Sequence, residues 1–322
     1  MDTPREIVVI KPSSLGDIVH TLPAVALLKR RWPQSRLRWL INSEWMPLLD
    51  GNPDVDEVVE FPRRDFRGLR GALKIAPWAR ALRERVRADL VLDFQGLLRS
   101  AMIAKLCRGE GGRIVGLSDA REGARLFYDE VVDVSGLAHA VDRYLAIPSA
   151  LGIEPGPLAW PLPVGTAPVA AELPARFVLL HPFSRGKGKS LSDTDVAEFC
   201  RSLAPLPVVI AGAGAGRGPA LENVVDCLNR TTLAELIWLI RAAAFVVSVD
   251  SGPMHIAAAL TPRLVSIHTW SDPAKVGPYR PEAWIWKNGA LFQQRDRTAP
   301  AQHRPVADIA ALAAFVRSQI PG

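Results

Sequence analysis

Three short stretches carry side chains suited to acid–base or anion chemistry. The first, IKPSSLGDIVHTLP at residues 10–23, sets Ser13, Ser14, Gly16 and Asp17 where an apolar run meets a helical pattern. A carboxylate there can cap the helix, since Asp is a favoured capping residue, or it can take a proton from a hydroxyl. The second, HPFSRGKGKSLSD at 181–193, alternates Gly186 and Gly188 with Arg185, Lys187 and Lys189. Free backbone and dense positive charge suit a phosphate, and the plainer reading is a solvated basic turn. The third, SVDSGPMHIAAAL at 248–260, places Asp250, Ser251 and Gly252 ahead of Pro253, with His255 in the following turn. Free N–H groups at a helix start make this either a phosphate cradle or a simple capping turn over a packed histidine.

Other chemistries fit the chain less well. The second stretch does not accommodate GxxxxGK[ST], and SSLGD supplies only one of the glycines of GxGxxG. The six histidines form no HxxxH pair, and no acidic couple follows a strand-like run. No metal and no cofactor are therefore expected, and a phosphate leaving group would have to be met by Lys, Arg and helix N–H groups. Cys107, Cys200 and Cys227 show no CxxC spacing and read as reduced thiols.

The elements that position these residues follow from hydrophobic patterning. Short apolar runs at 6–12, 36–42, 57–62, 89–95 and 113–118 read as buried strands. Helical periodicity fills the intervals at IVHTLPAVALLKRRW, ALKIAPWARALRERV and LLRSAMIAKLCR. A Pro- and Gly-rich segment, 152–174, reads as a connection. The alternation then restarts with strands at 177–182, 207–214, 245–251 and 263–269, helical TLAELIWLIRAA, and a closing amphipathic helix at 306–320. Repeated βα alternation implies parallel sheets with helices on both faces, here in two domains, 1–160 and 161–322. The closing helix could return to the first of them. Ligands of such sheets sit beyond the carboxyl ends of the strands, which is where all three stretches fall.

At 322 residues, with 48% hydrophobic and 22% charged content, the chain reads as globular and is long enough for two cores. It has no apolar stretch of membrane-spanning length and no leader-like start, so a cytoplasmic location is expected. The formal charge of +6 calls for anionic partners. Zinc-finger spacing, RNP-like aromatics and heptad-linked basic regions are absent, which argues against nucleic acid. The arginines of WARALRERVRADL at 78–90 read as a solvated helix face. FPRRDFRGLRGALK at 61–74 is either a solvated basic loop or, through Arg63, Arg64 and Arg67, a grip on phosphate and carboxylate groups.

Five motifs in this order, KPSSLGDIVHTLPA, DFQGLLRSA (93–101), HAVDRY (139–144), VSVDSGPMHIAAAL and DPAKVGPY, resemble the ADP-heptose:lipopolysaccharide heptosyltransferases, most of all the heptosyltransferase I branch. The resemblance spans nearly the whole chain. It implies a GT-B fold, two Rossmann-like doubly wound domains facing a central cleft, with the acceptor bound by the N-terminal domain and the nucleotide sugar by the C-terminal one. It implies metal-free, inverting transfer of a heptose from ADP-heptose to the Kdo and inner-core region of a lipopolysaccharide precursor. Asp17 matches the proposed base. Ser184, Arg185, Lys187, Lys189, Asp250, Ser251, Gly252 and His255 match the donor site, with Lys189 the phosphate lysine and Lys187 its alternative. Ser14, Gly16, Arg63, Arg64, Arg67, Gln95, Arg99, His139 and Arg143 would serve the anionic acceptor, and peripheral contact with the inner membrane would follow. Two departures stand out: Leu191 and Ser192 occupy the place of the family's Trp-Pro, and 212–230 lacks the helix and acidic residue that follow the glycine turn. The latter leaves a related donor as an alternative, or a nucleotide-sugar-binding protein without turnover. An oxidoreductase is disfavoured by the missing glycine fingerprint.

Overall fold

The computed structural model describes residues 3–169, 172–184, 186, 188–214, 217–296, 304–305 and 308–320. The chain divides into two units, Met1–Pro163 and Val164–Gly322. The Pro-rich segment is anchored within each. Arg30 donates to Pro157 O and Asn52 Nδ2 to Pro161 O, at 3.0 and 3.1 Å, while the Thr166 N–H donates to Ala234 O at 3.2 Å.

In the first unit β1 (Glu6–Ile10), β2 (Arg36–Asn42), β3 (Glu57–Phe61), β4 (Ala88–Asp93), β5 (Arg108–Leu117) and β6 (Glu130–Val132) form one parallel sheet in the order 3-2-1-4-5-6. The helices are α1 (Leu15–Arg31), α2 (Gly68–Arg85), α3 (Leu98–Cys107) and α4 (Ala140–Ala150). Ile7 to Ile10 are all buried, as expected of a central strand covered on both faces. α2 differs from the others: only Gly71 and Leu82 are buried, and the arginines of its second half are solvated as expected, Arg80 pairing with Glu84 at 2.9 Å.

The second unit repeats the plan. β7 (Val178–His181), β8 (Val208–Gly212), β9 (Val224–Leu228), β10 (Phe245–Val249), β11 (Leu264–His268) and β12 (Trp284–Lys287) pair in parallel in the order 9-8-7-10-11-12. Renumbered within the unit, that is again 3-2-1-4-5-6, the doubly wound order. β13 (Ala290–Gln293) and β14 (Arg304–Pro305) extend the sheet antiparallel. Around it lie α5 (Asp193–Leu203), α6 (Leu233–Ala242), α7 (Gly252–Leu260), the short α8 (Pro273–Val276) and α9 (Ile309–Ser318). The closing helix α9 puts Ile309, Leu312, Ala313 and Val316 into this unit's own core, where apolar residues of α5 meet them.

The strand order places a switch point between β1 and β4 in one unit and between β7 and β10 in the other. Loops diverge there to opposite faces of a sheet and leave a crevice at its carboxyl edge. Cys107, Cys200 and Cys227 are all buried reduced thiols, and burial pushes the first two up to about 12.

Candidate active site

At the first switch point, Asp17 lies in the first turn of α1 and its Oδ2 accepts from the Ser14 N–H at 3.1 Å and the Ser14 hydroxyl at 2.6 Å. It thus satisfies a backbone donor at the helix entry. Its Oδ1 accepts from the Tyr144 hydroxyl at 3.3 Å. Lys11, buried at the end of β1, donates from Nζ to Tyr144 Oη and to Phe94 O, both at 2.8 Å. Burial lowers the Lys11 pKa, opposed by the charges of Asp17, Asp93 and Asp119. Burial and the Asp17 charge raise Tyr144 well above its usual value, so it stays a donor.

The DFQG turn at the end of β4 is built by Asp93. That buried carboxylate accepts from Ser100 Oγ and Tyr128 Oη, both at 2.8 Å, and from the N–H groups of Gln95 and Gly96. Gly96 takes a φ of +68°, and a Cβ there would sit 3.2 Å from Ala120. Gln95 Oε1 then accepts from the Ser13 N–H at 3.2 Å, tying the two switch-point loops together.

The other expected acceptor residues separate. Arg99, exposed at the start of α3, places its guanidinium 6.0 Å from the Phe61 ring centre, and burial together with the charge of Arg63 lowers its pKa. Arg64 is engaged with Glu44 at 2.5 Å, and Arg67 holds the N-cap position of α2 without a side-chain capping bond. Arg143 pairs with Asp119 at 3.6 Å. His139 is fully buried, accepts the Val141 N–H at the start of α4 and packs 5.2 Å from His20, so its imidazole serves the helix and not a ligand surface. Gly16 is buried in ordinary helix and shows none of the left-handed backbone for which glycine is needed.

At the second switch point, Lys189 Nζ meets Asp250 Oδ2 at 2.6 Å and lies 5.0 Å above the Trp270 ring. Burial pushes the Asp250 carboxyl up, but hydrogen bonds from Lys189 and Ser271 outweigh it and leave it below the usual range. Ser251 holds the N-cap position of α7 without a side-chain capping bond, its hydroxyl donating to Val249 O at 3.0 Å with Oγ 3.3 Å from His181 Nδ1. Gly252 is the first residue of α7 and His255 is buried in its opening turn. Burial lowers both His181 and His268 to about 4, so both are neutral at neutral pH. Ser184 receives the Ser190 hydroxyl at its carbonyl, and Gly188, at a φ of +71°, accepts from Thr269 at 2.6 Å. Arg185 and Lys187 lie outside the described residues. Leu191 is a core residue and Ser192 caps α5, accepting the Asp195 N–H at 3.1 Å.

At the end of β8, Gly212 abuts His181: a Cβ there would come within 2.5 Å of Nε2. Among the described residues no helix intervenes before β9, which is the VVDCL run inside the stretch that lacked a helical pattern. Sequence reasoning missed Lys11, Tyr144, His181, His268 and Trp270. Lys11 and Tyr144 stand at the edges of quoted motifs, but only the fold shows that they meet. Among the described residues, no group of three or more His, Cys, Asp and Glu side chains is arranged around a metal position.

Two doubly wound units, each gathering polar and charged side chains at its switch point, define a GT-B glycosyltransferase. Residues 75–172 and 217–306 match the model of glycosyltransferase family 9 (heptosyltransferase), and the chain belongs to that family. Lipopolysaccharide heptosyltransferase 1 of Salmonella typhimurium is 28% identical over 296 residues, 85% of this chain and 91% of that one. Lipopolysaccharide heptosyltransferase 2 of the same organism is 27% identical over 347 aligned positions, 94% of each. Among solved structures, Escherichia coli heptosyltransferase WaaC with ADP aligns at a TM-score of 0.75 and 21% identity, over 98% of this chain and 99% of that one. The E. coli ADP-heptose lps heptosyltransferase II gives 0.75 at 22% identity, over 98% of each.

Proposed function

We propose that the chain transfers a heptose from ADP-heptose to the Kdo and inner-core region of a lipopolysaccharide precursor, with inversion and without a metal. The observation that carries this reading is the polar cluster at each switch point: a carboxylate at the start of α1, and a lysine with the free end of α7 at the second sheet. Asp17 takes the proton of the acceptor hydroxyl as its oxygen attacks the anomeric carbon. The bond from that carbon to the phosphate oxygen breaks, and the electron pair leaves with ADP. A single displacement of this kind inverts the centre. Lys189, Ser251 and the N–H groups of α7 face the charge that develops on the departing phosphate.

The acceptor is anionic and membrane-borne. Arg63 and Arg99 support its recognition, since arginine pairs with phosphate and carboxylate through parallel hydrogen bonds. No described helix is long and apolar enough to cross a membrane. Leu69 and Leu73, exposed at 92% and 78% on α2 beside Arg67, Arg70 and Lys74, support peripheral contact with the cytoplasmic face of the inner membrane.

The connection from β8 to β9, which holds no helix among its described residues, favours one other reading, a protein that binds a nucleotide sugar without turning it over. Incubation with a panel of nucleotide sugars and heptose-deficient lipopolysaccharide, followed by mass spectrometry, separates the two. An acceptor heavier by one heptose, formed equally in EDTA, is the expected result. Binding of ADP-heptose with no product in any acceptor would support the second reading, and dependence on added magnesium would overturn the metal-free mechanism.

A further inference from the structure

The hydrogen bonds around Asp17 have a fixed direction. An ammonium group has only hydrogens to offer, so Lys11 Nζ, at 2.8 Å from Tyr144 Oη, donates to it. The phenol's one hydrogen is then left for Asp17 Oδ1 at 3.3 Å. Lys11 is held in turn by Phe94 O at 2.8 Å, beside the DFQG turn. Lys11 and Tyr144 are both nearly inaccessible, so the Lys11 contacts are buried, while the Tyr144–Asp17 contact is half-buried.

We propose that Lys11 and Tyr144 form a positioning relay that aims one phenolic hydrogen at Asp17 Oδ1 and so fixes the orientation and basicity of the carboxylate. This rests on the reading of Asp17 as the base. Neither residue touches the reacting atoms. The other charged or titratable groups in the surroundings are Arg143 on α4, Asp93 at the end of β4, Asp119 after β5, and the packed pair His20 and His139. Arg143 and Asp119 are paired with each other. Asp93 is engaged by Ser100 and Tyr128, so the relay is the neutral donor directed at Asp17 from α4.

A donor to the charged form of a carboxylate lowers its pKa, so removing the phenol raises it. In Tyr144→Phe the Asp17 carboxyl, followed by carbon-13 NMR in the full-length protein, should titrate about half to one pH unit higher. The kcat should fall roughly tenfold as the carboxylate loses its aim, with acceptor KM and ADP affinity unchanged. Lys11→Met should act in the same direction, because the phenol is then free to turn. The double variant should be no worse than the more severe single one, as members of one network are not additive. An Asp17 titration unmoved in both Tyr144→Phe and Lys11→Met overturns the relay whatever the rate does. Full turnover by Asp17→Asn would instead remove the base reading, and the NMR titration would still decide the relay.

Discussion

Lys189 Nζ lies 2.6 Å from Asp250 Oδ2, a bond between the loop after β7 and the end of β10. The donor lysine therefore rests against its own counter-ion. Lys189→Ala should weaken ADP binding by roughly tenfold or more, since charge-assisted hydrogen bonds carry about 1.5–3 kcal/mol. It should also lower stability by about 1–3 kcal/mol, because Asp250 is left buried with fewer donors. Calorimetric titration with ADP and a thermal melt measure the two effects. Unaltered ADP affinity in a folded variant would take Lys189 out of the donor site and transfer the role to Lys187.

Asp17→Asn keeps the shape of the side chain but cannot take up a proton. Turnover should drop by about 10²- to 10⁴-fold, the usual range for loss of a general base. ADP binding should be retained, and the melting temperature should fall only slightly, because the amide oxygen can still accept from Ser14 at the helix entry. A rate near that of the parent protein would show that Asp17 is a cap and nothing more.

The basic loop should not behave as one unit. Arg64 is already held by Glu44 at 2.5 Å, whereas Arg63 and Arg99 feel each other's charge and gain from an anion between them. Arg63→Ala and Arg99→Ala should each raise the acceptor KM more than Arg64→Ala does, with donor KM unchanged. Steady-state kinetics in which all three variants shift the donor instead would assign this surface to the other substrate.

Two buried histidines make acid stability steep. Burial holds His181 and His268 near 4, below the usual 6.5. Between those values the unfolded chain binds more protons than the native one, so stability is full above about pH 6.5 and falls as the pH drops toward 4. At pH 5 each contributes a loss of about 2 kcal/mol. Urea melts at pH 7 and pH 5 should show this difference, reduced in His268→Gln. Equal midpoints at the two pH values would contradict the neutral, buried state of both rings.

Much of this was open to reading before the fold was known. The central strands of both sheets, β1, β4, β7 and β10, are dense apolar runs flanked by turn residues, so the loops that follow them were placed well. The edge strand β3 is read at 57–62, whereas the short β6, β9 and β14 are not. β9 lies within 212–230, where no strand is expected, and β12–β13 is not among the expected strands although Asn288-Gly289, both at positive φ in a two-residue loop, is a strong hairpin signal. At the sites, the exposed charges could be nominated from composition and position. Lys11 and His181 could not, because each sits in an apolar strand run: Lys11 meets Phe94 O through the strand order 1-4 and Tyr144 from α4, and His181 meets Ser251 through the order 7-10.

The three buried thiols give the chain a practical property. With Cys107 and Cys200 pushed up to about 12 and Cys227 also raised by burial, none presents a thiolate to an alkylating reagent at neutral pH. A cysteine introduced on the surface would be the one reactive handle in the molecule. A single labelled position in either unit, with all three native cysteines retained, would report substrate binding at that unit's own switch point.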